Sequence, residues 1–149
     1  MAESNALAMD EEELVELLGR GGTGVLSFST DGGTPPYSLP VSYGFNETSM
    51  DFYFRLAVPG GAGKADVLDE PVSFVAFERT DAGWRSAVAT GRLEEVTEAD
   101  YDSSALQGMW LVEIPIVDIF ERDPKEVAFR YFRLDPQRLS GRKEAKAGY

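Results

Sequence analysis

The run Tyr37-Ser38-Leu39-Pro40-Val41-Ser42-Tyr43-Gly44-Phe45 alternates bulky Tyr37, Leu39, Val41, Tyr43 and Phe45 with small Ser38, Pro40, Ser42 and Gly44. Side chains of a β-strand point to opposite faces with a period of two, so the alternation predicts a strand with one bulky and one small face. The bulky face belongs in a core. The small face leaves room for a flat ligand.

Working outward, Met50 to Leu56 alternates Met50, Phe52, Phe54 and Leu56 with Asp51, Tyr53 and Arg55. Further strands are predicted from Val25, over Val72 to Arg79, from Trp84 to about Val96 with Gly91 as a bend, and over Val127 to Leu134. Asp31-Gly32-Gly33, Asn46-Glu47-Thr48-Ser49 and Thr80-Asp81-Ala82-Gly83 have the residues that hairpin turns need. Five or six antiparallel strands in a meander fit a small closed or split β-barrel better than an α/β sheet.

Helical signals are few. Asp10 and Glu13 form a capping pair before Leu14, Leu17 and Leu18, with Gly19 after them. Lys64 opens a short helix ending before Pro71, and Thr97 with Asp100 caps a partly helical Tyr101 to Val112. Gly21-Gly22-Thr23-Gly24 lacks the lysine and preceding strand of a phosphate loop, and reads as a helix-to-strand connection.

With 149 residues, 43% hydrophobic and 11% aromatic, the chain suits one folded domain over 1–149, with 1–9 and 143–149 flexible. The absence of cysteine and histidine excludes disulfides, thiolate or imidazole zinc sites and histidine-based triads. No carboxylate spacing suggests a metal. A net charge of −12 disfavours nucleic acid and anionic membranes as partners. Met1 is followed by polar and acidic residues, so a cytoplasmic protein is expected. Four lysines and ten arginines against 26 acidic residues resemble the balance in salt-loving organisms; the alternative is an acidic mesophilic protein.

The densest constellation is Tyr53-Phe54-Arg55, a Gly-rich loop, then Gly63-Lys64 at a helix start, where cations and free N–H groups could cradle a phosphate. Equally, Arg55 and Lys64 could simply pair with nearby carboxylates. Trp84 and Trp110 suit core or dimer-interface packing more than ligand stacking. Glu113-Ile114-Pro115-Ile116-Val117 reads as a lid or a plug for the barrel end.

Taken in order, Pro36 to Gly44, Phe52-Tyr53-Phe54-Arg55, Gly63-Lys64, Pro71-Val72-Ser73-Phe74 and Trp84-Arg85-Ser86 with Gly91 resemble the pyridoxamine 5'-phosphate oxidase-like superfamily. The resemblance includes the smaller, nitroimidazole-reductase-like branch of that superfamily. The resemblance implies a mainly β, antiparallel and Greek-key-like FMN-binding split barrel with a few peripheral short helices. It also implies a homodimer and a small-molecule oxidoreductase whose redox chemistry resides in the cofactor. F420 or haem in the same barrel, or flavin binding without turnover, are the alternatives.

The resemblance implies that Pro40, Val41 and Ser42 contact the isoalloxazine, with Ser38 on the same strand. Phe54, Arg55 and Lys64 would hold the ribityl phosphate, and Ser86 would lie beside the ring. Arg138-Leu139-Ser140-Gly141-Arg142 looks like the family's terminal signature, which makes Arg142, with Phe132, a contact to the partner subunit's flavin. A solvated basic tail is the other reading of this segment. The oxidases proper have basic residues where this chain has Ser38 and Tyr43, and histidine where it has Ser140. Oxidation of pyridoxamine phosphate is therefore not implied. The nitroimidazole-reductase-like proteins often have histidine near Arg55, so their activity is not implied either.

Overall fold

A computed structural model describes residues 6–30, 32–57, 70–96 and 129–145. In chain order they form β1 (Ala6–Ala8), α1 (Glu11–Leu18), β2 (Gly22–Phe28), β3 (Tyr37–Asn46), β4 (Asp51–Ala57), β5 (Val72–Thr80), β6 (Gly83–Gly91), β7 (Leu93–Val96), β8 (Phe129–Leu134) and β9 (Arg138–Glu144). One antiparallel sheet has the order β1-β9-β6-β5-β2-β3-β4-β8-β7. The fold is the expected mainly β, curled half-barrel, and α1 is the one helix among the described residues.

The curl follows from the chain path. β6 passes into β7 across Arg92 alone, and β8 passes into β9 across Asp135, Pro136 and Gln137. The continuous ribbon β6-β7 therefore pairs with β8-β9, yet its β7-β8 half joins the sheet through β8 beside β4 while its β6-β9 half joins through β6 beside β5. One ribbon supplies both sides of the sheet, which rolls it into a barrel. At the switch Gln137 N donates to Thr90 O at 2.8 Å. A Cβ on Gly91 would lie 3.0 Å from Leu134 Cδ1 and 3.1 Å from Asp135 O. The bend predicted at Gly91 is thus a break between two strands rather than a kink in one.

The bulky residues of β3 face inward as expected. Val41, Tyr43 and Phe45 join Phe52, Phe54, Phe74, Phe132 and Leu134 in the core. Ring centroids lie 4.8 Å apart for Phe54 and Phe74, 4.9 Å for Phe45 and Phe52, and 5.1 Å for Tyr43 and Phe74. Each buried phenylalanine contributes about 1.5–3 kcal/mol through apolar area removed from water. Gly24 allows β2 and β5 to close on this cluster: a Cβ there would lie 2.5 Å from both Phe74 Cζ and Val75 O.

α1 covers one side of the core with Leu14, Leu17 and Leu18. Its capping box is complete, with Glu13 N donating to Asp10 Oδ1 at 2.9 Å and Asp10 N to Glu13 Oε1 at 3.3 Å. Gly21, at φ 67, makes the left-handed step from helix to β2 that a non-glycine residue resists.

All three predicted turns join paired strands. Asn46 Oδ1 accepts from Thr48 N at 3.0 Å and Ser49 N at 3.3 Å, and Thr80 Oγ1 donates to Gly83 O at 2.8 Å. Two expectations need correction. Among the described residues the sheet has nine strands rather than five or six, because β1 and β9 are strands and the Trp84 to Val96 run divides. Arg138–Glu144 is β9, tied to β6 and β1, rather than a solvated basic tail. Trp84, expected in the core or at a dimer interface, is surface-exposed in the single chain. The helices predicted from Lys64 and over Tyr101 to Val112, Trp110 and the apolar Glu113 to Val117 lie outside the described residues.

Candidate functional site

The strand registers place three transverse rows of side chains on the outer face of the sheet. The first contains Arg142, Ser86 and Phe77 on β9, β6 and β5, with Thr23, Ser42 and Arg55 on β2, β3 and β4. The second is Ser140, Val88, Val75, Val25 and Pro40. The third is Arg138, Thr90, Ser73, Ser27 and Ser38. No residue of these rows is acidic, although the whole chain has 26 acidic residues. Three arginines and a band of hydroxyl and apolar groups thus form a face that avoids repelling an anion.

Ser38, Pro40, Ser42, Arg55, Ser86 and Arg142 all lie on this face. Ser42 is directly opposite Arg55, and Ser86 is directly opposite Arg142. Within one chain these are two clusters, because β5 and β2 lie between β6 and β3. Val41, Phe54 and Phe132 point the other way. All three are core residues, with Phe54 paired opposite Phe132. At their positions only the main chain is available to a ligand on the outer face. Lys64 lies outside the described residues.

Pro40 explains how β3 can meet a ligand. Proline has no N–H, and in a central strand its ring would obstruct a ladder hydrogen bond. β3 pairs with β2 along Tyr37–Tyr43, but its pairing with β4 begins at Ser42. Among the described residues, Tyr37 to Val41 are therefore paired on one side only. Pro40 is tolerated if its main-chain atoms and ring face that open side. By alternation Ser38 then presents peptide groups in the same direction. An open strand edge suits a planar heterocycle whose rim carries both hydrogen-bond donors and acceptors. A flavin pyrimidine ring has such a rim, so the residues present fit a flavin.

Of the two positions where the oxidases proper are basic, Ser38 faces outward. Tyr43 is buried in the core, 5.1 Å from Phe74 between ring centroids. Burial, with Glu78 nearby, raises its phenol to a pKa of about 12. It therefore stays neutral and is not a proton donor at the surface. Sequence reasoning passed over Ser27, Ser73 and Thr90. Their signal was available only through strand register, which aligns them across four strands with Ser38.

The comparisons agree with the geometry. A family model described as pyridoxamine 5'-phosphate oxidase matches residues 10–143. No curated protein matches the chain. Among solved structures, an FAD-binding protein from Mesorhizobium loti is 22% identical, with a TM-score of 0.62 over 93% of this chain and 97% of the other. The FAD-binding protein from Mycobacterium smegmatis is 16% identical, with a TM-score of 0.64 over 93% and 98%. An FAD- and haem-binding protein from the same organism is 14% identical, with a TM-score of 0.59 over 95% and 74%. At these identities the likeness concerns the fold. The match over residues 10–143 places this chain in the pyridoxamine 5'-phosphate oxidase family.

Proposed function

We propose that the chain is a flavin-binding protein, with FMN as the cofactor, that works as a homodimer and oxidises or reduces a small molecule. The observation that carries this reading is the three acid-free rows of the outer face, where the edge of β3 at Ser38 to Val41, one-sided among the described residues, adjoins Arg55. The main chain of Pro40, Val41 and Ser42 would meet the ring, Arg55 and Lys64 the phosphate, and Ser86 the ring's far side. When bound, the flavin would supply hydride or single-electron transfer. The protein would bind, orient and shield it. The row residues offer no carboxylate and the chain no histidine, so protons would pass through solvent, substrate or the cofactor.

The dimer is supported by Phe77, Trp84 and Val88 on the same face, exposed by 57%, 47% and 38%. Phe77 and Trp84 stand 6.1 Å apart between centroids. A second copy would cover this apolar patch and bring its Arg142 towards the first copy's ring. The acidic, lysine-poor composition supports a high-salt working environment.

Arg55→Ala and Lys64→Ala test the assignment. Each removes a charge-assisted phosphate contact worth about 1.5–3 kcal/mol, so FMN affinity should fall about ten- to hundredfold with the fold intact. Unchanged affinity in both variants would contradict the placement of the phosphate.

A further inference from the structure

A groove of about 490 Å³ opens on the outer face at the Ser38 end of β3, beyond the one-sided edge. Ser27, Ser38, Ser73 and Thr90 form its polar wall, with Phe28 and Val72 among its apolar lining. Four adjacent strands, β6, β5, β2 and β3, each place a hydroxyl at the same transverse level, Thr90, Ser73, Ser27 and Ser38. With strands about 4.8 Å apart, that hydroxyl row spans about 14 Å. Ser27 Oγ and Ser38 Oγ satisfy one another at 2.8 Å, and Ser29 Oγ donates to Pro71 O at 3.2 Å. Ser73 and Thr90 make no side-chain hydrogen bond to another described residue, which leaves their hydroxyls to whatever occupies the groove.

Charge defines the occupant. No described residue lining the groove is ionisable, and Arg138, which follows Thr90 in the same row, stands outside that lining. A phosphate or an ammonium group placed among these lining residues would lose its hydration without gaining a counter-charge from them. Hydroxyls both donate and accept, so carbonyl, amide or hydroxyl groups on a neutral body can be matched. Proline and phenylalanine surfaces would cover that body's apolar parts. The groove also lies four residues along β3 from Ser42, whose neighbour Arg55 marks the phosphate end of the proposed cofactor.

We propose that this groove is the substrate site and that it takes an uncharged molecule with an apolar body and carbonyl- or hydroxyl-type polar groups, a quinone being a representative. The inference rests on the flavin reading for its role but not for its chemistry. It excludes a substrate that must be held by its own phosphate or amine.

The test uses the whole protein, with and without FMN, and two probes differing by one charge: 2-methyl-1,4-naphthoquinone and 1,4-naphthoquinone-2-sulfonate. The chain has no cysteine for a quinone to alkylate. Equilibrium dialysis measures each probe on the parent protein and on the Ser73→Ala/Thr90→Val double variant, with thermal melting as the check on folding. The neutral probe should bind at least about tenfold more tightly than the sulfonate. The double variant should lose about tenfold in affinity for the neutral probe and keep its FMN affinity.

Binding of the neutral probe with that pattern, in a protein that takes up no FMN, would support the groove's chemistry and contradict the flavin reading. FMN uptake with equal binding of both probes, or with no binding of either, would overturn the groove assignment. So would loss of FMN affinity in the double variant, because the groove would then belong to the cofactor.

Discussion

Arg133 on β8 donates from Nε to Oδ2 of Asp51 on β4 at 2.6 Å, and Asp51 is 1% exposed. Ser49 Oγ donates to the other carboxylate oxygen at 2.6 Å, and the Tyr53 hydroxyl lies 3.5 Å from Oδ2. The pair fastens the strand that bears Arg55 to the ribbon that rolls the barrel. Burial works against the Arg133 charge, but the Asp51 carboxylate outweighs it and holds the guanidinium above its ordinary value. Arg133→Met leaves Asp51 buried without its counter-charge. Unfolding free energy should fall by about 3–5 kcal/mol in denaturant titration, with part restored by adding Asp51→Asn. A loss below 1 kcal/mol would show that the pair contributes little.

Tyr43 and Tyr53 should remain protonated well above the ordinary tyrosine range. Burial raises both to about 12, helped by Glu78 at Tyr43 and by Asp51 at Tyr53. The unfolded chain releases these protons near pH 10 and the fold retains them, so stability falls as pH rises from about 10 to 12. Ultraviolet titration should show two of the six tyrosines ionising last, together with loss of the fold. Ionisation of all six near pH 10 in the folded protein would refute the burial argument.

At the acid end the sensitive group is Glu13. Its hydrogen bond with Lys143 and that from the Asp10 N–H hold its carboxyl below the usual 4.5. Such a group stabilises the fold above its unfolded pKa and ceases to do so as pH falls through the lowered value. Melting temperature measured from pH 6 to pH 3 should therefore decline less steeply in Glu13→Gln than in the parent. Parallel curves would mean that the Lys143 contact is not felt in solution.

Gly24→Ala is a test of packing alone. The added Cβ meets the Val75 carbonyl oxygen and the Phe74 ring at 2.5 Å, and a main-chain oxygen in a paired strand cannot yield cheaply. Destabilisation of about 1–3 kcal/mol is expected, read from chemical denaturation. Ala at this position without cost would mean that β2 and β5 are further apart than described.

Much of the fold was legible because alternation and turn residues are local. Tyr37 to Phe45 gave β3 and its inward face, and Asp10 with Glu13 gave the start of α1. The barrel closure was hidden because it depends on pairing Leu93 with Leu134 and Thr90 with Arg138, contacts that no short window contains. The same limit affected the site. Resemblance named Phe54 beside Arg55 and Phe132 with Arg142, but the two-residue period turns both phenylalanines into the core. It also takes register to see that Ser27, Ser73 and Thr90 line up with Ser38.

The most direct measurement is the visible absorption spectrum of the purified protein after incubation with FMN and removal of free flavin by gel filtration. The account predicts a flavin band that co-elutes with folded protein and yields intact FMN on denaturation. A folded protein that elutes without a chromophore would contradict the assignment of the β3 edge and Arg55 to a flavin.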